Sequence, residues 1–541
     1  MYLMPKFLLF HHTLAVTGGG RGLCYNFLMF SEKTGRVLAI LIPTLLLVFY
    51  GLFLTHQINL VTADLGRHIK NGETLLQNAS VLTTNFYSYT NPDFPVINHH
   101  WGSGLIFYFL WNLFGFAGTE FFFIIVSLAT LWLFFLAIRP KAGIGLAALV
   151  SGVVVLILAE RTEIRPEALS YLFAALLFLI LLRFRDSPGN PKYLKALYVI
   201  PFAQILWVNT HIYFILGPVV VGVFLVESLV TNRIIARRLF FILFFTLLAS
   251  FVSPFGVYGL VEVFTIFKNY GYPLVENQSV WFLENVLGKR PGLTIFKIIF
   301  SLTALSFLVP IFRKEWRKIE ISSVLFTLGF GGMAWFATRN IALFGFFAIP
   351  VIISNLKGFF QDLSATEKRS TDVFAAFALA VAILLSVSSG MLKYFPYWRG
   401  GGVGLEQGNS AAADFWKREG LKGPIFNDYD IGGYLIFHLY PQEKVFVDNR
   451  PEAYPSGFFQ KTYIPMQENA DVWKAAEDRY GFNAIVFSRN DATPWGQQFL
   501  AARANDSEWA PVFLDSNIII FLKRTEVNLP VIKKFGLMLA R

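Results

Sequence analysis

Three side chains that could do acid–base and phosphate chemistry lie close together in Thr62-Ala63-Asp64-Leu65-Gly66-Arg67-His68. A carboxylate of suitable basicity can take the proton of an attacking hydroxyl. A guanidinium can hold a phosphate through paired charge-assisted hydrogen bonds, and an imidazole can hydrogen-bond either partner. The plainer reading makes Asp64 a solvated residue at the start of a loop helix. A second group follows in Glu160-Arg161-Thr162-Glu163-Ile164-Arg165-Pro166-Glu167. Arg161 and Arg165 could join Arg67 and His68 in countering phosphate charge. Glu163 and Glu167 could orient these arginines or bind a hydroxylated acceptor. The alternatives are arginines snorkelling at an interface and surface ion pairs of little energetic weight. His99 and His100, then Asn209 and His211, then Arg339 beside Asn340, form further polar islands. These are candidates for contact with sugar or acceptor, or for plain helix-end capping. Adjacent histidines do not match zinc-ligand spacing, so hydrogen bonding is expected of them and no metal site is assigned.

The elements that must position these residues are membrane helices. The chain has 541 residues, 55% of them hydrophobic and 15% charged, with 59 Phe; a soluble domain carries about 25% charged residues. Apolar runs of spanning length predict about eleven spans, at 37–55, 119–138, 142–159, 167–184, 195–211, 212–230, 239–254, 293–312, 319–337, 341–356 and 372–392. The net charge of +11 is spread in short basic clusters between apolar runs, a positive-inside pattern rather than a nucleic-acid groove. The inner clusters are Lys6, Arg21, Lys33 and Arg36; Arg139 and Lys141; Arg183, Arg185, Lys192 and Lys195; Arg233, Arg237 and Arg238; Arg313, Lys314, Arg317 and Lys318; and Lys357, Lys368 and Arg369. Outer basic residues such as Arg67, Arg161, Arg165, Lys268 and Arg339 are sparser. The single Cys24 excludes an intramolecular disulfide.

This bias predicts a cytoplasmic N-terminus (1–36), a transmembrane domain (37–392) and a C-terminal extracytoplasmic domain (393–541). The segment 101–117 is apolar enough to span, but as a span it would invert every later basic cluster. It is therefore expected along the outer interface, and 257–290 is expected to hold a second such helix. The first outer loop, 56–118, far exceeds an ordinary connection and reads as a folded functional segment. After the turn-rich Gly400-Gly401-Gly402, strand and helix patterns alternate through 424–427, 434–439, 444–448, 471–480, 484–487, 494–503, 512–514 and 518–522. That is the pattern of a small α/β domain.

In this order the outer pieces resemble the GT-C superfamily of membrane glycosyltransferases, which includes protein O-mannosyltransferases and aminoarabinose transferases. The resemblance rests on Asp64 after the first span, Ile69-Lys70-Asn71-Gly72-Glu73, His99-His100-Trp101 leading an interfacial helix, and Arg165-Pro166-Glu167 opening a later span. In closer detail the chain is similar to a group of bacterial membrane proteins with an Asp-Leu-Gly-X-His motif. Their C-terminal motifs are matched here by Asp428–Leu435 and Asp448–Arg450. The chain departs from many members in having Leu65, not a second acid, after Asp64.

The resemblance implies a glycosyltransferase of a bacterial inner membrane. It would move a sugar from a polyprenyl-phosphate donor to a lipid, glycan or protein acceptor outside the cytoplasm, with inversion. Asp64 is then the base. Arg165, Arg161, Arg67 and His68 bind the donor phosphate, and Glu167, Glu163, His99, His100, Asn209, His211 and Arg339 bind acceptor or sugar. Neither nucleic acid nor a required cofactor is expected. A catalytically degenerate scaffold of the same fold is the alternative, and a transporter or flippase is a weaker one because no internal repeat is visible.

Overall fold

The computed structural model describes residues 20–78, 80, 82–265, 270–398 and 400–537, with side chains from residue 33 onward. Lys6, the side chains of Arg21 and Cys24, and Lys268 lie outside the described residues. Among the described residues seven helices are long and apolar enough to cross a membrane, and this is an integral, polytopic helical membrane protein. Helix α1 (Gly20–Leu54) leads into the first outer loop, where α2 (Leu65–Asn78) forms. Helix α3 (Trp101–Leu158) is broken twice, at Gly115 (φ 66°) and Gly143 (φ 71°). These positive φ angles suit glycine and interrupt the helix. The first break sets 101–114 apart from the apolar helix that follows, close to the boundary expected near residue 118.

Helix α4 (Glu167–Asp186) follows Pro166, whose fixed φ suits the entry to a helix. Later helices include Val199–Val208, Leu216–Thr231, Arg233–Ala249, Pro291–Ser306, Ile321–Phe336, Ile341–Asp362 and Ala365–Ser388. The last begins with a reciprocal Ser364–Glu367 capping box. The stretch 257–290, expected outside, carries the short helices Gly256–Thr265 and Val280–Leu287 among its described residues. Phe134, Phe178, Phe224, Phe326 and Phe347 meet at centroid distances of 4.8–6.1 Å and knit five helices together. Phe240, Phe241, Phe244 and Phe245 instead face outward, as a lipid-facing surface requires.

The charged groups separate to the two ends of α4, about 30 Å apart for twenty residues. At one end Glu320 accepts from Lys357 at 2.8 Å and from Arg185 at 3.0 Å, with Lys141 at 3.4 Å. Arg185 also pairs with Glu227 at 2.9 Å. Three of the clusters assigned to the inner side by charge therefore meet on one carboxylate. At the other end lie the groups of the first outer loop and of Arg161 to Glu167.

The C-terminal region contains a four-stranded sheet in the order β1-β2-β4-β3: β1 Ile425–Asn427, β2 Ala484–Ser488, β3 Trp509–Leu514 and β4 Ile518–Lys523. β1 and β2 are parallel, and the other pairs are antiparallel. Helices Gly432–Leu439, Ala470–Tyr480 and Pro494–Ala504 occupy the expected helical segments. The expected strand at 444–448 is not part of the sheet. It bridges Ser88 of the first outer loop instead: Val445 N–H donates to the Tyr87 carbonyl at 3.0 Å, and Tyr89 N–H to that of Val445 at 3.1 Å. An extended, apolar segment satisfies its backbone equally well from a loop as from a sheet, so its sequence cannot choose between them.

The stretch 400–409 is not a free linker. Gln57 and Ile58 donate to Gly400 and Gly404 at 3.1 and 2.9 Å, and Glu406 donates back to Ile58 at 2.9 Å. Asn409 accepts from Leu60 N–H at 3.1 Å. The backbone leading to Asp64 is thus paired along its length with the C-terminal region.

Helix Gly432–Leu439 sits against this junction because its first residues lack side chains. A Cβ at Gly432 would lie 2.5 Å from Asp448 Cα and 2.6 Å from the Val447 carbonyl. Both are backbone atoms, which cannot step aside cheaply. Gly432→Ala is expected to destabilise the protein by about 1–3 kcal/mol, read as a lower melting temperature in detergent; an unchanged Tm would refute this account of the glycine pair.

Candidate functional site

Asp64 stands at the entry to α2, where its carbonyl accepts from His68 N–H at 3.1 Å. Its side chain is turned away from helix capping. Oδ1 accepts from the Asn449 amide and lies 3.4 Å from Arg67 Nη2, while Oδ2 lies 3.7 Å from Arg165 Nη1. The Asp64 side chain keeps 20% of its surface exposed, so a ligand can reach it. Close packing fixes α2: a Cβ at Gly72 would lie 2.3 Å from the Gly104 carbonyl, and the two glycines let α2 and the first part of α3 touch backbone to backbone.

The arginines share a carboxylate that sequence reading did not single out. Glu276 Oε2 accepts from Arg161 Nη1 and from Arg165 Nη1, both at 2.9 Å, and Glu276 Oε1 lies 3.7 Å from Arg339 Nη1. Arg161 also makes a two-pronged pair with Glu167, Nε to Oε1 and Nη2 to Oε2, both at 2.9 Å. Arg165 Nε bonds Glu163. Arg339 Nε donates to Tyr213 Oη at 3.1 Å. Burial would raise the Glu276 carboxyl, but Arg165, Arg161 and Arg339 together hold it well below its ordinary 4.5. Burial pushes Glu163 up to about 7, against the opposing pull of Arg165. The cluster therefore gathers Asp64, Arg67, Arg161, Glu163, Arg165, Glu167 and Arg339.

The histidines behave differently. His68, His100 and His211 form a file with centroid spacings of 5.3 and 5.1 Å. Burial drives His68 and His100 well below 6.5, reinforced by Arg67 and by neighbouring imidazoles. The His68 imidazole is therefore held toward its neutral form, and its buried Nδ1 has no protein partner among the described residues. His211 Nδ1 is bonded to Ser170 Oγ at 2.8 Å. His99 lies apart, against Phe214 and Phe255, with its imidazole lowered to about 4 by burial. Asn209 is engaged structurally, accepting from Trp101 Nε1 at 3.1 Å and donating to the Ile205 and Val252 carbonyls at 2.8 Å. It pins the start of α3 rather than joining the cluster. Among the described residues no three His, Cys, Asp or Glu side chains are placed to hold a metal ion.

A second acidic locus lies in the C-terminal region, beside the sheet. Asp428 is 1% exposed; its Oδ1 accepts from Ser488 N–H at 2.7 Å, and its Oδ2 has no partner among the described residues. Burial, then Asp491 and Asp430, push the Asp428 carboxyl well above 3.8, and burial raises Asp491 as well. A carboxyl raised on folding stabilises the fold below its unfolded value and loses that contribution as pH rises through the folded value. The contribution of Asp428 to wild-type stability is therefore expected to decline as pH rises above the ordinary carboxyl range. Asp428→Asn should flatten that slope in a pH series of thermal melts, and parallel slopes for the two proteins would refute the assignment.

Two members of the site escaped sequence reading, Glu276 and Asn449. Glu276 sits in an outer segment whose only visible signals were short aromatic helices. Asn449 stood inside the Asp448–Arg450 motif, which could have flagged it.

No family model matches the chain, and no curated protein matches it. Solved structures do. The chain is similar to the archaeal oligosaccharyltransferase AglB of Archaeoglobus fulgidus in complex with an inhibitory peptide and a dolichol-phosphate, with a TM-score of 0.57 and 10% identity over 87% of this chain and 73% of that one. The apo form of the Archaeoglobus fulgidus oligosaccharyltransferase gives 0.54 at 11% identity, over 86% and 72%. ArnT of Cupriavidus metallidurans in the apo state gives 0.52 at 15% identity, over 91% of this chain and 98% of that one. At these identities the likeness shows that this chain shares the fold of these structures.

Proposed function

We propose that this protein is a membrane glycosyltransferase that moves a sugar from a polyprenyl-phosphate donor to an extracytoplasmic acceptor. The observation that carries the reading is the placement of Asp64 Oδ2 3.7 Å from Arg165, at the edge of a cluster that also holds Arg67, Arg161 and Arg339. An inverting displacement needs a base on one side of the anomeric carbon and phosphate-binding groups on the other, and one cluster holds both residue types. The acceptor hydroxyl gives its proton to Asp64 as its oxygen bonds to the anomeric carbon from the face opposite the phosphate. The carbon–oxygen bond to phosphate breaks, the configuration inverts, and the departing polyprenyl phosphate carries a negative charge that the arginines offset. Phosphate would compete with Glu276 for Arg161 and Arg165, and the file of His68, His100 and His211 offers hydrogen bonds to sugar or acceptor hydroxyls. The dolichol-phosphate held by the structurally similar oligosaccharyltransferase supports a polyprenyl-phosphate partner.

The accompanying topology is about eleven spans in residues 37–392, the N-terminus in the cytoplasm and residues 393–541 outside, in a bacterial inner membrane. The convergence of Lys141, Arg185 and Lys357 on Glu320 supports it. One observation favours a second reading: every carboxylate of the arginine cluster is already ion-paired, as in a scaffold that has kept the fold without turnover.

The test is transfer of radiolabelled sugar from a panel of polyprenyl-phosphate donors by the purified protein in detergent. Transfer to an added lipid or glycan acceptor is expected with at least one donor. Donor binding without transfer across the panel would favour the scaffold.

A further inference from the structure

The Asp448-Asn449-Arg450 segment of the C-terminal domain reaches into the candidate site, and its three side chains divide the work. Arg450 and Asp448 face inward as a buried pair, Nε to Oδ1 at 2.8 Å and Nη2 to Oδ2 at 2.7 Å. Arg450 Nη2 also donates to Asn85 Oδ1 of the first outer loop at 2.7 Å, and Asp448 N–H donates to Tyr454 Oη at 2.9 Å. Both ends of the segment are therefore immobilised. Asn449, between them, faces the other way. Its Oδ1 accepts from Arg67 Nε at 2.9 Å, and its Nδ2 donates to Asp64 Oδ1. The orientation of the amide is not ambiguous. A guanidinium only donates and a carboxylate only accepts, so oxygen must face Arg67 and nitrogen Asp64. Helix Gly432–Leu439 closes the other side, where a Cβ at Gly433 would lie 3.2 Å from Asn449 Nδ2 and 3.5 Å from the Ala63 carbonyl.

We propose that Asn449 is a positioning residue by which the C-terminal domain completes the site, holding Asp64 and Arg67 in a fixed relation and leaving Asp64 Oδ2 directed toward the acceptor. The inference rests on the reading of Asp64 as base. It explains why the domain carrying Asn449 is pinned to the first outer loop at 57–60, at 87–89 and at Asn85. The amide occupies one carboxylate oxygen without adding charge. The charged and titratable groups around Asp64 are Arg67 on α2, Arg165 and Glu163 before α4, and Asp430 and Tyr429 of the C-terminal domain.

The test uses the full chain in detergent with two substitutions. Asn449→Ala removes both hydrogen bonds. It is expected to lower kcat on the order of 10- to 100-fold while the KM for the polyprenyl-phosphate donor is unchanged. Asn449→Asp keeps the shape and the acceptor for Arg67 but loses the donor to Asp64. It should be equally impaired at neutral pH, with its deficit narrowing as pH falls, because a protonated carboxyl recovers an O–H donor. A wild-type kcat in either variant, or a loss expressed only in donor KM, would overturn the proposal. Should Asn449→Ala fail to fold, the near-isosteric Asn449→Asp carries the test. A second readout does not depend on turnover. Carbodiimide labelling of Asp64, followed by mass spectrometry, should quicken when Asn449→Ala uncovers Oδ1. Unchanged labelling overturns the positioning role even if transfer is robust, whereas faster labelling in a protein that transfers no sugar sinks the functional reading alone.

Discussion

Asp64→Asn is expected to reduce sugar transfer by about 10²- to 10⁴-fold in a protein that remains folded. The size follows from the role: the other carboxylates of the arginine cluster are bound to arginines. Glu163 is bound to Arg165, Glu167 to Arg161, and Glu276 to both arginines. Folding should survive because an asparagine at this position still offers an oxygen to Arg67 and to the Asn449 amide, and the side chain is 20% exposed. The check is initial-rate transfer from the active donor, with melting temperature and size-exclusion profile measured alongside. Equal rates for the two proteins would remove Asp64 from the chemistry, and a parallel collapse of Tm would make its role structural.

Glu276→Gln is expected to be the most destabilising single change in the cluster. Arg161 and Arg165 both donate to Glu276 at 2.9 Å, and Arg339 lies 3.7 Å away. The amide leaves three guanidiniums near one another with Glu163, Glu167 and Asp64 to balance them. Breaking a buried ion pair from one side costs about 3–5 kcal/mol. Glu276 is 24% exposed, so solvent screening places the expected loss near the lower end, about 3 kcal/mol. The pH dependence follows from the sign of its shift. Because Glu276 is held well below 4.5 when folded, its contribution is complete above that value and is lost only as pH falls through the depressed one. Thermal melts of wild type and variant should differ by a constant amount at neutral pH and converge in acid. A variant as stable as wild type at neutral pH would show that Glu276 is not what holds the arginines together.

Much of the membrane domain was legible because lipid imposes a simple rule: spanning segments must be long and apolar, and basic loops lie predominantly on one side. Sequence reading set 101–117 apart because, as a span, it would invert every later basic cluster, and α3 is interrupted at Gly115. Asp64 and Arg165-Pro166-Glu167 were legible for a related reason, as polar groups next to apolar runs stand out. Glu276 was not, because what distinguishes it is its distance from Arg161, Arg165 and Arg339, which lie elsewhere in the chain. The protonation of His68 was not legible, since it is set by burial and by Arg67, His100 and Arg165, none of which can be read from local sequence. The segment 444–448 was read as a sheet strand because extended, apolar residues look alike whether they pair with a sheet or with the loop at Ser88.

By itself, then, the sequence determined the class of the protein, the approximate placement of its apolar segments and the residue types available for acid–base and phosphate chemistry. All of these follow from composition and local periodicity. Tertiary structure alone decided which of those residues meet. It set Asp64 between Arg67, Arg165 and Asn449, joined three arginines on Glu276, and made the C-terminal domain a wall of the site. The reason is physical: hydrogen bonds and ion pairs act over a few ångströms in space, and the partners of Asp64 and Glu276 approach that closely only after the helices and the sheet have packed.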